Sequence, residues 1–220
     1  MKRISIRGKK FSELSDSGEV LIDSDEYEVV VINAATISRA YYEGEYDPDK
    51  PAPPTCWSAD TQVPSVDVPV GQRQSARCMD CRNNIRGSGY GSSRLCRFSQ
   101  RIAVVPRDRL DDVYQLHLPA TSIFGQIRDG HMPLREYASF LHGRGTAAAV
   151  VLTKIYFDAD SDIPKLFFKP NRPLRDEEIS VVSGMIAHPD TIQAITLGYA
   201  PLEGNTASPF GVTDGFEINN

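Results

Sequence analysis

No apolar run in these 220 residues approaches the roughly 20 that a membrane span needs. The basic opening MKRISIRGKKFSEL is followed by neither an apolar stretch nor a small-residue cleavage site, so no secretory signal and a cytoplasmic location are expected. There are no internal repeats, and a hydrophobic content of 40% is too high for a disordered chain. Gly87, Gly89 and Gly91 lack the Gly-Lys-Ser/Thr that completes a phosphate loop, and their spacing is not that of a dinucleotide fold. Histidine is scarce. None of the four stands in His-x-Glu, and Arg77 rather than proline precedes Cys78, so the zinc-deaminase signature is missing in both halves. Asp158, Asp160 and Asp162 alternate as in a calcium loop, but Ile163 takes the glycine position and Lys169 that of the bidentate glutamate. These absences leave an expected binding protein and no catalytic residues.

What is present begins with four cysteines. Cys56 lies in PPTCWSAD, and Cys78, Cys81 and Cys96 in RCMDCRNNIRGSGYGSSRLCRF. In an oxidising compartment they could form two disulfides, with three connectivities open. In reducing cytosol four thiols with a Cys-x-x-Cys pair more often take a metal. A tetrahedral sulfur site suits Zn²⁺, one per chain, and four protein ligands make it structural. A redox pair would want a strand-to-helix setting, whereas Cys81 runs into RNNIRGSG. The Gly/Ser/Asn loop between the ligands has little apolar surface and should need such a clip to order it.

Charge is uneven. The chain holds 24 basic and 29 acidic residues, but residues 72–101 carry seven arginines, no lysine and one acid, Asp80. Arginine forks onto phosphates and stacks on bases, so this segment reads as a nucleic-acid contact, with Arg82, Arg86, Arg94 and Arg97 as backbone contacts. Aromatics stand nearby. Of Tyr41 and Tyr42 only one can face a groove if both lie on a strand. Arg39 shares a face with Tyr41, which makes Tyr41 the expected stacking platform, with Trp57 and Tyr90 as further candidates.

Strands are expected at RISIR, EYEVVVINA, ISRAYY, RIAVVP, VYQLHLPA, TAAAVVLTKIYFD and KLFFKP, and helices at MPLREYASFLHGRG, LRDEEISVVSGMIA and PDTIQAITLG. This pattern fits a mainly β, α+β domain over residues 1–201. One option is an OB-like five-stranded barrel with a zinc module inserted at 53–101, the other an open antiparallel sheet. Residues 202–220 read as a flexible, mildly acidic tail.

The stretches SRAYYEGEYDPD, PPTCWSAD, ARCMDCRNNIRGSG, RLCRFSQRIAVV and LPATSIFGQIRDG, with VVLTKIYFDADSDIPKLFFKPNRPL after them, resemble a family of small bacteriophage proteins. That family resembles phage single-stranded DNA-binding proteins, which are often OB barrels and sometimes carry structural zinc. The resemblance implies non-specific binding of single-stranded DNA in phage replication or recombination, within the host cytoplasm. It further implies replication partners recruited by the C-terminal tail, although this tail is less acidic than that class has. The other reading is a zinc-stabilised interaction protein that docks on a polymerase or another replication or transcription factor.

Overall fold

The computed structural model describes residues 1–44 and 52–199. The chain opens with β1 (Arg3–Ser5), β2 (Phe11–Ser15), β3 (Gly18–Ile22), β4 (Glu26–Ala34) and β5 (Ser38–Tyr41). After β6 (Cys56–Ser58) and three short 3₁₀ turns come β7 (Arg97–Pro106), β8 (Tyr114–Pro119), α1 (Ala120–Ile123) and α2 (Leu134–His142). The described chain closes with β9 (Val151–Phe157), β10 (Leu166–Pro173), α3 (Asp176–Met185) and α4 (Pro189–Ile195).

The strands form one curled sheet in the order β10-β9-β4-β7-β8-β1-β2-β3, with β5 branching from β7 and carrying β6. Pairing is antiparallel except between β1 and β8. The fold is therefore a mixed α+β architecture dominated by its sheet. Its main path runs through eight strands, more than the five of the barrel option. The hairpin β2–β3 was not among the expected strands, because GEVLI shows no alternation and FSELS holds only two apolar residues.

Alternation along the central strands explains why the sheet is covered on both faces. Val29, Val31, Ile102, Val104, Leu116 and Leu118 point to one side, where they pack with Phe168 of β10 and with Leu134, Tyr137 and Leu141 of α2. Val30, Ile32, Ala103 and Val105 point to the other and meet Val182 of α3 and Ala194 of α4. A strand buried on both faces reads as an unbroken apolar run, as Val29–Ile32 does. Residues 148–150, expected to open a long strand, form a 3₁₀ turn before β9.

The second face is covered only in part. Helices α3 and α4 sit over the apolar positions of β4, β7 and β9. On β7 the same face continues backwards through Arg101, Ser99 and Arg97, and on β8 it holds His117, the register partner of Arg101. That uncovered region, flanked by β5 and β6, is where the basic and aromatic residues gather.

Candidate nucleic-acid interface

The cysteine segment is built onto β5 and the start of β7. β5 pairs with β7 (Ser38↔Ser99, Arg39↔Phe98, Ala40↔Arg97), and β6 adds to its other edge (Arg39↔Ser58, Ala40↔Trp57, Tyr41↔Cys56). Side chains at successive positions therefore split between two faces.

On one face lie the thiols. Cys56, Cys78, Cys81 and Cys96 are all buried and all free. They line one cavity of about 20 Å³ together with Arg39 and Tyr41. Two 3₁₀ turns, Cys78–Asp80 and Arg82–Asn84, bring the Cys-x-x-Cys pair to it, and the Cys96 amide donates to the Asn83 carbonyl at 2.9 Å. Burial pushes the Cys56 thiol up and the Cys96 thiol up to about 12, each raised further by the neighbouring cysteines. As the side chains stand, no three His, Cys, Asp or Glu among the described residues are spaced to hold an ion. The four cysteines nevertheless line one cavity, which brings the donor type of a tetrahedral sulfur site together.

Arg39 tests the fit independently. Its guanidinium is 5% exposed, stacks 4.2 Å over Phe98 and donates to the Cys78 carbonyl at 3.5 Å. Its Nε has no partner, and no described carboxylate lies within 4 Å of it. A buried cation without a counter-charge costs several kcal/mol. Here the groups able to supply one are the four thiols, as thiolates. A tetrathiolate site with Zn²⁺ carries net negative charge, and the Gln74 backbone N–H already donates to the Cys56 sulfur. The donor type, four thiols around a buried guanidinium, is one that Zn²⁺ takes, while their spacing as it stands does not close on an ion.

The opposite face carries a different chemistry. Tyr42, Trp57, Arg97, Arg101 and His117 follow one another across β5's end, β6, β7 and β8, and Tyr199 lies on top. Tyr199 is 5.2 Å from the Trp57 ring, and Arg101 lies 5.4 Å from the Tyr199 centroid. Desolvation, with Tyr199 beside it, pushes the Tyr42 phenol up to about 12. Arg101 is 8% exposed, and neither it nor Arg97 has a described carboxylate within 4 Å. His117 opens into a concavity walled by protein. Desolvation there, then Arg101 and Arg3, hold its pKa down to about 4, so the ring is neutral at physiological pH.

Several expectations move. Tyr41 and Tyr42 do alternate, and Arg39 does share a face with Tyr41, but that face is the thiol cavity. Tyr42, 47% exposed, is the residue on the open side. Arg39 is likewise withdrawn from the surface. Trp57 and Arg97 stay on the open face. Arg82, Arg86 and Arg94 are exposed on the intervening loop, with Arg94 Nε tied to the Asn84 carbonyl at 2.7 Å, and Tyr90 stands 98% exposed at its tip. Within that loop the Gly87 and Gly89 amides both donate to the Ser93 carbonyl. A Cβ at Gly89 would crowd the Arg94 backbone, 3.1 Å from its carbonyl carbon. Arg101, His117, Phe98 and Tyr199 were missed as site residues. The spacing Arg97-x-Ser99-x-Arg101 could have revealed Arg101, but His117 is placed only by cross-strand register. Tyr46 and the acidic tail lie outside the described residues.

Asp158, Asp160 and Asp162 belong to a hairpin turn between β9 and β10, where Asp158 pairs with Lys165 at 2.7 Å. No helix among the described residues is long and apolar enough to cross a membrane. Compared with known proteins, the chain matches no family model, no curated protein and no solved structure.

Proposed function

We propose that the chain binds single-stranded DNA without strong sequence dependence, through the face formed by Tyr42, Trp57, Arg97 and Arg101, and that one structural Zn²⁺ held by Cys56, Cys78, Cys81 and Cys96 fixes that face in place. The observation that carries this reading is that Tyr42, 47% exposed, and Trp57 share a face with Arg97 and Arg101, whose guanidinium groups lack carboxylate partners among the described residues. Aromatic platforms accept any base, and arginines neutralise the backbone. β6 supplies both Cys56 and Trp57. A metal that closes on the one sets the position of the other.

The resemblance to small phage proteins supports a place in phage replication or recombination, and an OB-like ancestry for the curled sheet is the finer reading of its architecture. The chain then acts as a binding protein and not as an enzyme. The test is affinity for oligo-dT against duplex across a salt series. The reading requires preference for the single strand and a log-linear fall in affinity with salt. Equal or absent binding to both overturns it.

A second reading rests on a separate observation. Val66, Val70, Met79 and Ile85 are exposed on the cysteine segment. Those apolar side chains beside Arg82 and Arg86 suit docking on an acidic protein surface such as a polymerase. Replacing Val66 and Ile85 with serine leaves DNA binding intact and abolishes partner capture under that reading.

A further inference from the structure

Beside Tyr42 and Arg97 of the proposed DNA face lies a cavity of about 470 Å³, within the range of ligand pockets. Its walls are largely apolar, made by Phe98, Pro119, Ile163 and Pro164. Tyr42 and Tyr199 flank it, and Arg7 and Arg97, both exposed, bring two guanidinium groups to it. Neither has a described carboxylate within 4 Å.

Two polar groups stand on these walls. His117 is a neutral imidazole, so one ring nitrogen donates and the other accepts. The Thr121 hydroxyl is buried and without a partner. A buried hydroxyl left unpaired costs free energy that a bound partner recovers. A slot with apolar walls, a donor and acceptor inside and positive charge beside it matches one chemical class: an apolar ring with a polar edge, joined to a phosphate.

We propose that this cavity seats one nucleotide of the bound strand, with its base out of the stack between the apolar walls, its edge toward His117 and Thr121, and its phosphate on Arg7 and Arg97. The inference rests on the single-strand reading and deepens it. A strand that only lay across Tyr42 and Trp57 would show no base preference beyond stacking strength. A seated base adds one position at which the edge is read.

The experiment uses the full chain and two probes, oligo-dT and thymidine 5′-monophosphate. Ile163 lines the cavity from an exposed turn, so Ile163→Trp fills the space without touching the core. Ile163→Asp instead sets a carboxylate into the apolar wall that the base would pack against. Melting curves establish that both variants fold. In the parent, the mononucleotide should move the His117 ring signals in an NMR titration. Both variants should abolish that movement and weaken oligo-dT binding about 5-fold or more. If the parent binds oligo-dT but its His117 signals stay still, or if both variants bind both probes as the parent does, the strand passes the cavity by and the inference falls alone. If the parent binds no oligo-dT, the single-strand reading falls and takes the inference with it.

Discussion

Two adjacent tyrosines at the end of β5 show how much one position decides. Tyr41 turns toward the thiols and is half-buried, whereas Tyr42 turns to the open face. Loss of a packed aromatic leaves a cavity and costs about 3 kcal/mol or more, while loss of a stacking platform costs binding of about 1–3 kcal/mol and leaves the fold alone. Tyr41→Ala should therefore melt earlier and bind oligo-dT normally once folded. Tyr42→Ala should keep its melting temperature and lose about 5-fold or more in affinity, the low end of that range. Arg39 makes a matching case beneath the sheet. Its guanidinium lines the thiol cavity and stacks on Phe98, so Arg39→Gln should retain zinc about 10–100-fold less tightly in a chelator competition, the range expected when an outer partner of a metal ligand is lost. Arg39→Lys should recover part of the loss. Sequence made the pair Tyr41/Tyr42 visible and could not orient it. Alternation gives two faces, and only the position of β6 shows which is covered.

At the scale of the element, the cysteine segment and α3 are held in contrasting ways. The segment from Cys56 to Cys96 has short 3₁₀ turns and loop bonds, with few buried apolar residues besides Val68 and the cysteines. Removing zinc with a chelator, or changing Cys81 to serine, should therefore disorder residues 56–96 while the sheet persists. Hydrogen exchange would show protection lost there and kept in β4 and β7. Helix α3 is pinned by Glu178, which accepts from Arg172 at 2.7 and 2.8 Å and from the Arg175 amide and guanidinium at 2.8 and 2.9 Å. The side-chain bonds of Arg172 and then Arg175 hold this carboxyl well below the usual carboxylate range. A lowered folded pKa gives stability that is present above the unfolded pKa and is lost as pH falls through it. Acid titration of stability should thus be steeper below about pH 4.5 in the parent than in Glu178→Gln. The elements were widely legible from pattern: EYEVVVINA is β4 residue for residue, and α2 and α3 fall inside their expected stretches. The hairpin β2–β3 was not, because β3 is almost wholly exposed and β2 buries Ser12 and Glu13 beside Phe11. Glu13 is paid for by bonds from Arg109, Tyr27 and Tyr114, distant partners that no local pattern announces.

Over the whole molecule the formal charge is −5, yet the face proposed for DNA is basic. That division of charge was visible in the composition of residues 72–101, but its geometry was not. The seven arginines scatter into three environments: Arg97 and Arg101 lie on the sheet face with Tyr42 and Trp57, Arg82, Arg86 and Arg94 stand on the loop, and Arg73 and Arg77 are tied within the cysteine segment, Arg73 to the Val66 and Val68 carbonyls and Arg77 to Asp80. The fold distributes them because β7 begins at Arg97 and forces alternation from there on, while residues 82–95 follow loop geometry. Salt dependence separates these groups. Each phosphate neutralised on a single strand contributes about 0.7 to the slope of log K against log salt. Arg97→Ala should flatten the slope by about that amount and weaken oligo-dT and oligo-dA alike, because a backbone contact carries no base information. Arg82→Ala with Arg86→Ala asks whether the strand continues onto the loop. A further fall of about 1.4, two such contacts, extends the binding path across the zinc-held segment. An unchanged slope confines the strand to the sheet face and leaves the loop, with its exposed Met79 and Ile85, as the surface for a protein partner.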